Sequence, residues 1–293
     1  MACSSKDDTD LINTQDLELI PPAAPRVPVA QELFDDFSYS TADDPLISNN
    51  KWVLRDGNGG PGLGLWSNKN FEFLQPETNT LNKVMRMKAV KLPGTIANVI
   101  SQAEISTTSR KFFAGTYASR IKFYDAPVSG ADGDAIISTF FTISTYDNNN
   151  TNYSEIDFEY LPNGGFGMNG PRMWNTTWRR SIPDSNIYNT RQGSFAGWKV
   201  LVCTVANNHV KYYVDGELFA DHSGANYPRE AMVIDFNLWF WFQGTQIQSS
   251  NAAYIQDVDW VYFAKDSSLT TPEVKNIVAT LKSQSVKFKD NVQ

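Results

Sequence analysis

Ser154-Glu155-Ile156-Asp157-Phe158-Glu159-Tyr160 alternates acidic and apolar residues over the length of one strand. Strand side chains point to opposite faces with period two. Glu155, Asp157 and Glu159 therefore share one face, and Ile156, Phe158 and Tyr160 the other. The apolar face asks for a hydrophobic core, while the acidic face carries carboxylates about 7 Å apart. At that spacing and an effective dielectric of about 20, neighbouring carboxylates repel by about 2.4 kcal/mol. One carboxyl of the row should then keep its proton to higher pH than a free Glu. A protonated acid beside ionised carboxylates is what glycoside hydrolysis requires. A solvated strand face shows the same alternation, so the surroundings carry the decision.

Those surroundings are aromatic and acidic. The 293 residues include 8 Trp, 12 Tyr and 18 Phe and are only 19% charged, enough apolar matter for a large core. A net charge of −7 argues against nucleic acid or an anionic membrane surface as partner and leaves neutral polymers open. No apolar run approaches the ~18 residues of a membrane span. Cys203, inside Val200–Val205, reads as a buried thiol in a core strand. His209 and His222 sit near turns, read as surface residues, and are too few for a histidine metal site. Gly57-Asn58-Gly59-Gly60-Pro61-Gly62 fits a dinucleotide fingerprint on paper, but Pro61 and Gly64 forbid the helix that would receive a phosphate. A glycine-rich loop at the rim of a cleft is the better reading. No cofactor is expected for catalysis.

Residues 1–30 read as a flexible, Pro-rich tail. Cys3-Ser-Ser-Lys-Asp-Asp resembles the start of a mature bacterial lipoprotein, which implies export, a lipid anchor at Cys3 and a place at the outer membrane, cell surface or periplasm. From Leu33 onward, strands separated by Gly, Asn and Pro turns predict an antiparallel all-β sandwich over 31–266. They fall at Lys51–Arg55, Phe71–Leu74, Val84–Val90, Ala97–Ile105, Gly115–Tyr124, Ile136–Ser144, Tyr153–Leu161, Arg172–Trp178, Trp198–Val205, His209–Val214, Met232–Phe242 and Tyr254–Ala264. Asp215-Gly216 and Asn207-Asn208 mark hairpin turns. The extension over 267–293 carries one helix near Pro272–Lys282, with Thr271 as N-cap and Val274, Ile277, Val278 and Leu281 as its packing stripe. Beside the acids, Trp174, Asn175, Trp178, Asn237, Trp239 and Trp241 offer rings and amides suited to sugar faces and hydroxyls. Trp52, Trp198 and Trp260 read as core.

The ordered set of motifs resembles glycoside hydrolase family 16 in its bulge-free, lichenase-like version. The acidic strand, Gly115-Thr-Tyr117-Ala-Ser-Arg120-Ile-Lys122, Ser138-Thr-Phe140-Phe-Thr, Lys211-Tyr-Tyr-Val-Asp215-Gly216, Asn237-Leu-Trp239 and Asp259-Trp260-Val fall in family order over residues 34–265. The resemblance implies a concanavalin A-like jelly roll with an open cleft, and endo-hydrolysis of a β-linked polysaccharide with retention. By position Glu155 would be the nucleophile, Glu159 the general acid/base and Asp157 the residue between them. Arg120, Asn237 and Trp239 would touch substrate, and Asp259 would help hold a structural calcium. Ala118 stands where the family's strand usually carries a sugar-binding Glu, which leaves galactans beside glucans as substrates. A monomer is expected. Two rival readings share the fold: a non-catalytic glycan-binding lipoprotein, which has little reason to retain three repelling acids, and a transglycosylase.

Overall fold

The computed structural model describes residues 29–62, 64–75, 83–93, 99–147, 149–180, 185–241 and 250–293. Cys3 and almost all of the expected tail lie outside them. Sixteen strands of three or more residues follow in chain order among the described residues: β1 Glu32–Asp35, β2 Trp52–Leu54, β3 Phe71–Leu74, β4 Val84–Lys91, β5 Ile100–Thr107, β6 Gly115–Phe123, β7 Ile136–Ile143, β8 Glu155–Leu161, β9 Arg172–Arg180, β10 Ser185–Gln192, β11 Gly197–Ala206, β12 His209–Val214, β13 Glu217–Ser223, β14 Val233–Phe240, β15 Ala252–Lys265 and β16 Phe288–Asp290. Among the described residues, two α-helices accompany them, α1 (Pro45–Asn49) and α2 (Thr271–Ser283).

Period-two alternation sorts these strands into two antiparallel sheets. The first runs β2-β5-β14-β7-β8-β9-β10. The second runs β3-β4-β15-β6-β11-β12-β13. Strand β15 serves both halves of the second sheet. One edge pairs with β6; the other pairs with β4 and then with β1, on which β16 adds. Residues of both inner faces fill the space between: Ile156, Phe158 and Tyr160 from the acidic strand meet Phe123 and Tyr212 from the other sheet. The apolar half of the opening alternation is therefore core, as expected.

Both turn signals hold. Asn207 and Asn208 have φ of +52° and +64°, and Asp215 and Gly216 +51° and +89°, the left-handed pairs that two-residue hairpins need. Helix α2 lies on the outer face of the second sheet, its Val274, Ile277, Val278 and Leu281 packed on Ala118, Val202, Trp260 and Tyr262. Its N-cap is Thr270 rather than Thr271, because Thr270 and Glu273 form a capping box. Four strands, β1, β10, β13 and β16, were not foreseen. Strand β10 reads Ser-Asn-Ile-Tyr-Asn-Thr-Arg-Gln and is mostly exposed, so it has no hydrophobic alternation to detect. Two expected placements fail. His222 is buried, 1% exposed, because it faces inward from β13, and Trp198 is only half-buried, its ring covered by Arg120 at 4.2 Å.

Candidate active site

Register places Glu155, Asp157 and Glu159 opposite Trp178, Thr176 and Trp174 on β9, and opposite Ile143, Phe141 and Thr139 on β7. One strand further, Asp235 lies beside Phe141 and Trp239 beside Ile137. These residues share the face of the first sheet that points away from the core. Asp157 is 4% exposed, whereas Glu155 and Glu159 are half-buried. The acids are thus sunk into this face rather than solvated on it.

Each carboxyl has different company. Glu155 accepts a hydrogen bond from the hydroxyl of Tyr153. Asp157 accepts one from Trp178 Nε1 at 2.8 Å, and the carboxyls of Asp157 and Glu155 are hydrogen-bonded to one another. Glu159 faces a wall. Phe166 contacts both Trp174 and Trp241, at ring centroid distances of 5.4 and 5.0 Å, and these join Trp66, Ile137, Leu161 and Trp239 in one apolar cluster. Phe166 reaches there on the tight hairpin after β8. Gly164 has φ +79°, and a Cβ on it would stand 2.4 Å from Met168 O.

Electrostatics follows this packing. Burial pushes Glu155 up to about 7, offset in part by the Tyr153 and Asp157 hydrogen bonds. Burial and the charge of Glu155 push Glu159 up to about 8. Burial and both glutamates hold Asp157 well above the carboxylate range. The row was expected to retain one proton; packing raises all three groups.

Farther along the same face, Arg55 grips both carboxylate oxygens of Glu104 at 2.8 and 3.0 Å and lies 4.6 Å over the Trp66 ring. Asn237, 3% exposed, receives a 2.5 Å bond from Thr139 Oγ1 and hydrogen-bonds Glu104. It braces the floor. Trp174 and Trp239, 4% and 7% exposed, build the wall with half-buried Trp241, and Trp178 holds Asp157. The glycine-rich loop packs at this rim, where a Cβ on Gly62 would meet Trp239 at 3.1 Å.

Four expectations are corrected. Asn175 points inward, fully buried between the sheets, since alternation gives the open face to Trp174, Thr176 and Trp178. Arg120 lies on the outer face of the opposite sheet, paired with Asp259 at 2.7 Å. Ala118 is on that same outer face under α2, so its difference from the family pattern says nothing about sugar choice. Asp259 does not suit calcium: Lys282 and Arg120 sit 2.6 and 2.7 Å from its two carboxylate oxygens. No group of three His, Cys, Asp or Glu able to hold a metal exists among the described residues. Tyr153, Arg55, Glu104, Asp235 and Phe166 were missed. Tyr153 shares the parity of Glu155, and Asp235 that of Asn237, so period two could have found both.

A profile of glycosyl hydrolases family 16 matches residues 66–262, across both sheets and all three acids. The chain belongs to this family. Family 16 membership makes it a glycoside hydrolase, and solved structures support the jelly-roll fold. A β-glucanase of Bacillus licheniformis is 18% identical with a TM-score of 0.57, over 81% of this chain and 100% of that one. The LamAcat structure of Zobellia galactanivorans is 18% identical with a TM-score of 0.58, over 79% and 96%. A family 16 protein of the Bacteroides ovatus mixed linkage glucan locus, in complex with a G4G4G3G product, is 14% identical with a TM-score of 0.58, over 78% and 98%. No curated protein matches the sequence.

Proposed function

We propose that this family 16 protein is an endo-acting β-glucanase that cleaves with retention. The observation that carries the reading is the unequal dressing of two carboxyls on one strand. Tyr153 donates to Glu155, which favours its ionised form. Glu159 has the aromatic wall beside it and no hydrogen-bond donor among the described residues, which favours its neutral form. A nucleophile and a general acid need those opposite preferences.

In the reaction, Glu159 protonates the glycosidic oxygen as Glu155 attacks the anomeric carbon. The alcohol leaves and a glycosyl ester remains on Glu155. Glu159, now ionised, takes a proton from water as that water attacks the same carbon, freeing Glu155 with two inversions and net retention. Asp157, pinned by Trp178, holds the proton that tempers the charge between the two glutamates.

The seven-strand face is about 28 Å across, room for several sugars to lie along it and for cleavage within a chain. Glucan enzymes among the structural relatives support a β-glucan as substrate, and Ala118 no longer argues for another. A lipid on Cys3 would place this activity outside the cytoplasm, a reading that rests on the tail sequence.

Reducing-sugar release from barley β-glucan, lichenan, laminarin and agarose tests the assignment, with NMR of the first product reading its anomer. Glu155→Gln should lose at least about 10³-fold in kcat while keeping the wild-type circular dichroism spectrum. Full activity in that variant would sink the nucleophile assignment.

A further inference from the structure

Beyond the acids, the open face continues onto β10, whose Tyr188 the reaction scheme does not use. Tyr188 stands in the row of Asp157: Asp157 pairs with Thr176, and Thr176 with Tyr188. That places it two strand spacings, about 10 Å, from the middle acid, with only a small threonine between. The rows on either side carry Trp174 with Thr190, and Trp178 with Asn186. Thr176 itself is 5% exposed, so the accessible groups of this part of the face are the rings around it.

The ring is presented rather than stored. Tyr188 is 49% exposed on a strand otherwise rich in Asn, Thr, Ser, Arg and Gln. Its orientation is nevertheless fixed, because the ring packs on Trp174 at 5.0 Å with a 50° tilt. A held aromatic face costs little ordering on binding. Trp178 is fixed in turn by its bond to Asp157. In the two adjoining rows the polar side chains of this edge, Asn186 and Thr190, are hydrogen-bonding groups without charge, and the row beyond Thr190 pairs Gln192 with Arg172. Rings flanked by neutral donors and acceptors recognise a pyranose, whose C–H face stacks while its hydroxyls bond at the rim.

We propose that Trp178 and Tyr188 form a sugar subsite beyond the catalytic strand, which takes a pyranose of the polysaccharide by stacking on Tyr188. The proposal rests on the glycosidase reading of the three acids. It extends that reading by running the substrate across the strands to the β10 edge of the sheet, where a long chain can continue.

The test compares wild-type protein, Tyr188→Ala and Tyr188→Phe on mixed-linked β-glucan oligosaccharides of increasing length. Tyr188→Ala should raise KM about threefold to tenfold for the longer oligosaccharides. Its kcat should stay within about twofold, and the shortest hydrolysed oligosaccharide should be unaffected. Tyr188→Phe keeps the ring and should retain wild-type KM. Unchanged KM for Tyr188→Ala at every length overturns the subsite, as does equal damage from Phe and Ala. If wild-type protein hydrolyses none of them, the β-glucanase reading fails. Calorimetric titration with laminarin and barley β-glucan then decides the subsite alone: weaker binding by Tyr188→Ala supports it, and equal binding or none by either protein overturns it.

Discussion

At the scale of single residues, the site turns on one hydroxyl and one wall. Free-enzyme activity requires Glu155 ionised and Glu159 protonated, so kcat/KM should rise with pH through about 7 and fall through about 8, with both limbs belonging to the coupled pair. Tyr153→Phe removes a donor to the Glu155 anion and should move the ascending limb to higher pH, leaving KM near wild type. A pH profile that keeps its ascending limb in place would show that Tyr153 only fills space. The sequence made the three acids legible because their alternation matches the strand period. Tyr153 was equally within reach by parity. The wall was legible only in part: Trp174, Trp239 and Trp241 were expected beside the acids, whereas Trp66 and Phe166 come from other segments and join them only through register and a tight hairpin.

At the scale of elements, a buried polar knot lies where β1 turns away from the second sheet. Asp35 accepts from Phe37 N at 2.7 Å, Trp52 Nε1 at 2.8 Å and Tyr39 Oη at 2.5 Å, joining the chain after β1 to β2 of the other sheet. Burial nevertheless pushes its carboxyl up to about 7. A folded-state value above the usual 3.8 means the native state holds the extra proton. The contribution of this group to stability is therefore complete below pH 4 and falls as pH rises to 7, by about 4 kcal/mol. Asp35→Asn should flatten that slope in urea midpoints measured from pH 4 to 7; an unchanged slope would assign it elsewhere. Elements with one apolar face, such as β8 and α2, were readable from pattern. Strand β10 was not, since an edge strand with little to bury is held by its ladder to β9 rather than by its side chains.

At the scale of the whole molecule, the two sheets are tied together near β10 by a buried histidine. His222 of β13 bonds Thr177 Oγ1 through Nδ1 at 2.7 Å and Asn189 Oδ1 through Nε2 at 2.9 Å. Since Asn189 Oδ1 can only accept, Nε2 carries the proton and Nδ1 accepts from Thr177. Burial lowers the ring to about 4 from 6.5. The unfolded chain binds the extra proton in this window, so stability is full above 6.5 and drops by about 3 kcal/mol on acidification to pH 4. His222→Gln should remove that loss from thermal melts between pH 7 and 4, whatever its cost at neutral pH; an identical pH dependence would clear His222 of the role. The architecture itself was legible, since a dozen patterned strands and no long helix leave few alternatives to a sandwich. The pairing at its seam was not: Leu33 partners both Phe263 and Asp290, so the first described strand is closed by the last. Local propensity does not encode that meeting. It means a ribosome must deliver the chain as far as residue 290 before β1 can gain its two neighbours. A chain emerging in order has to wait with that edge unpaired, so assembly should be slow and dominated by contacts between distant parts of the sequence.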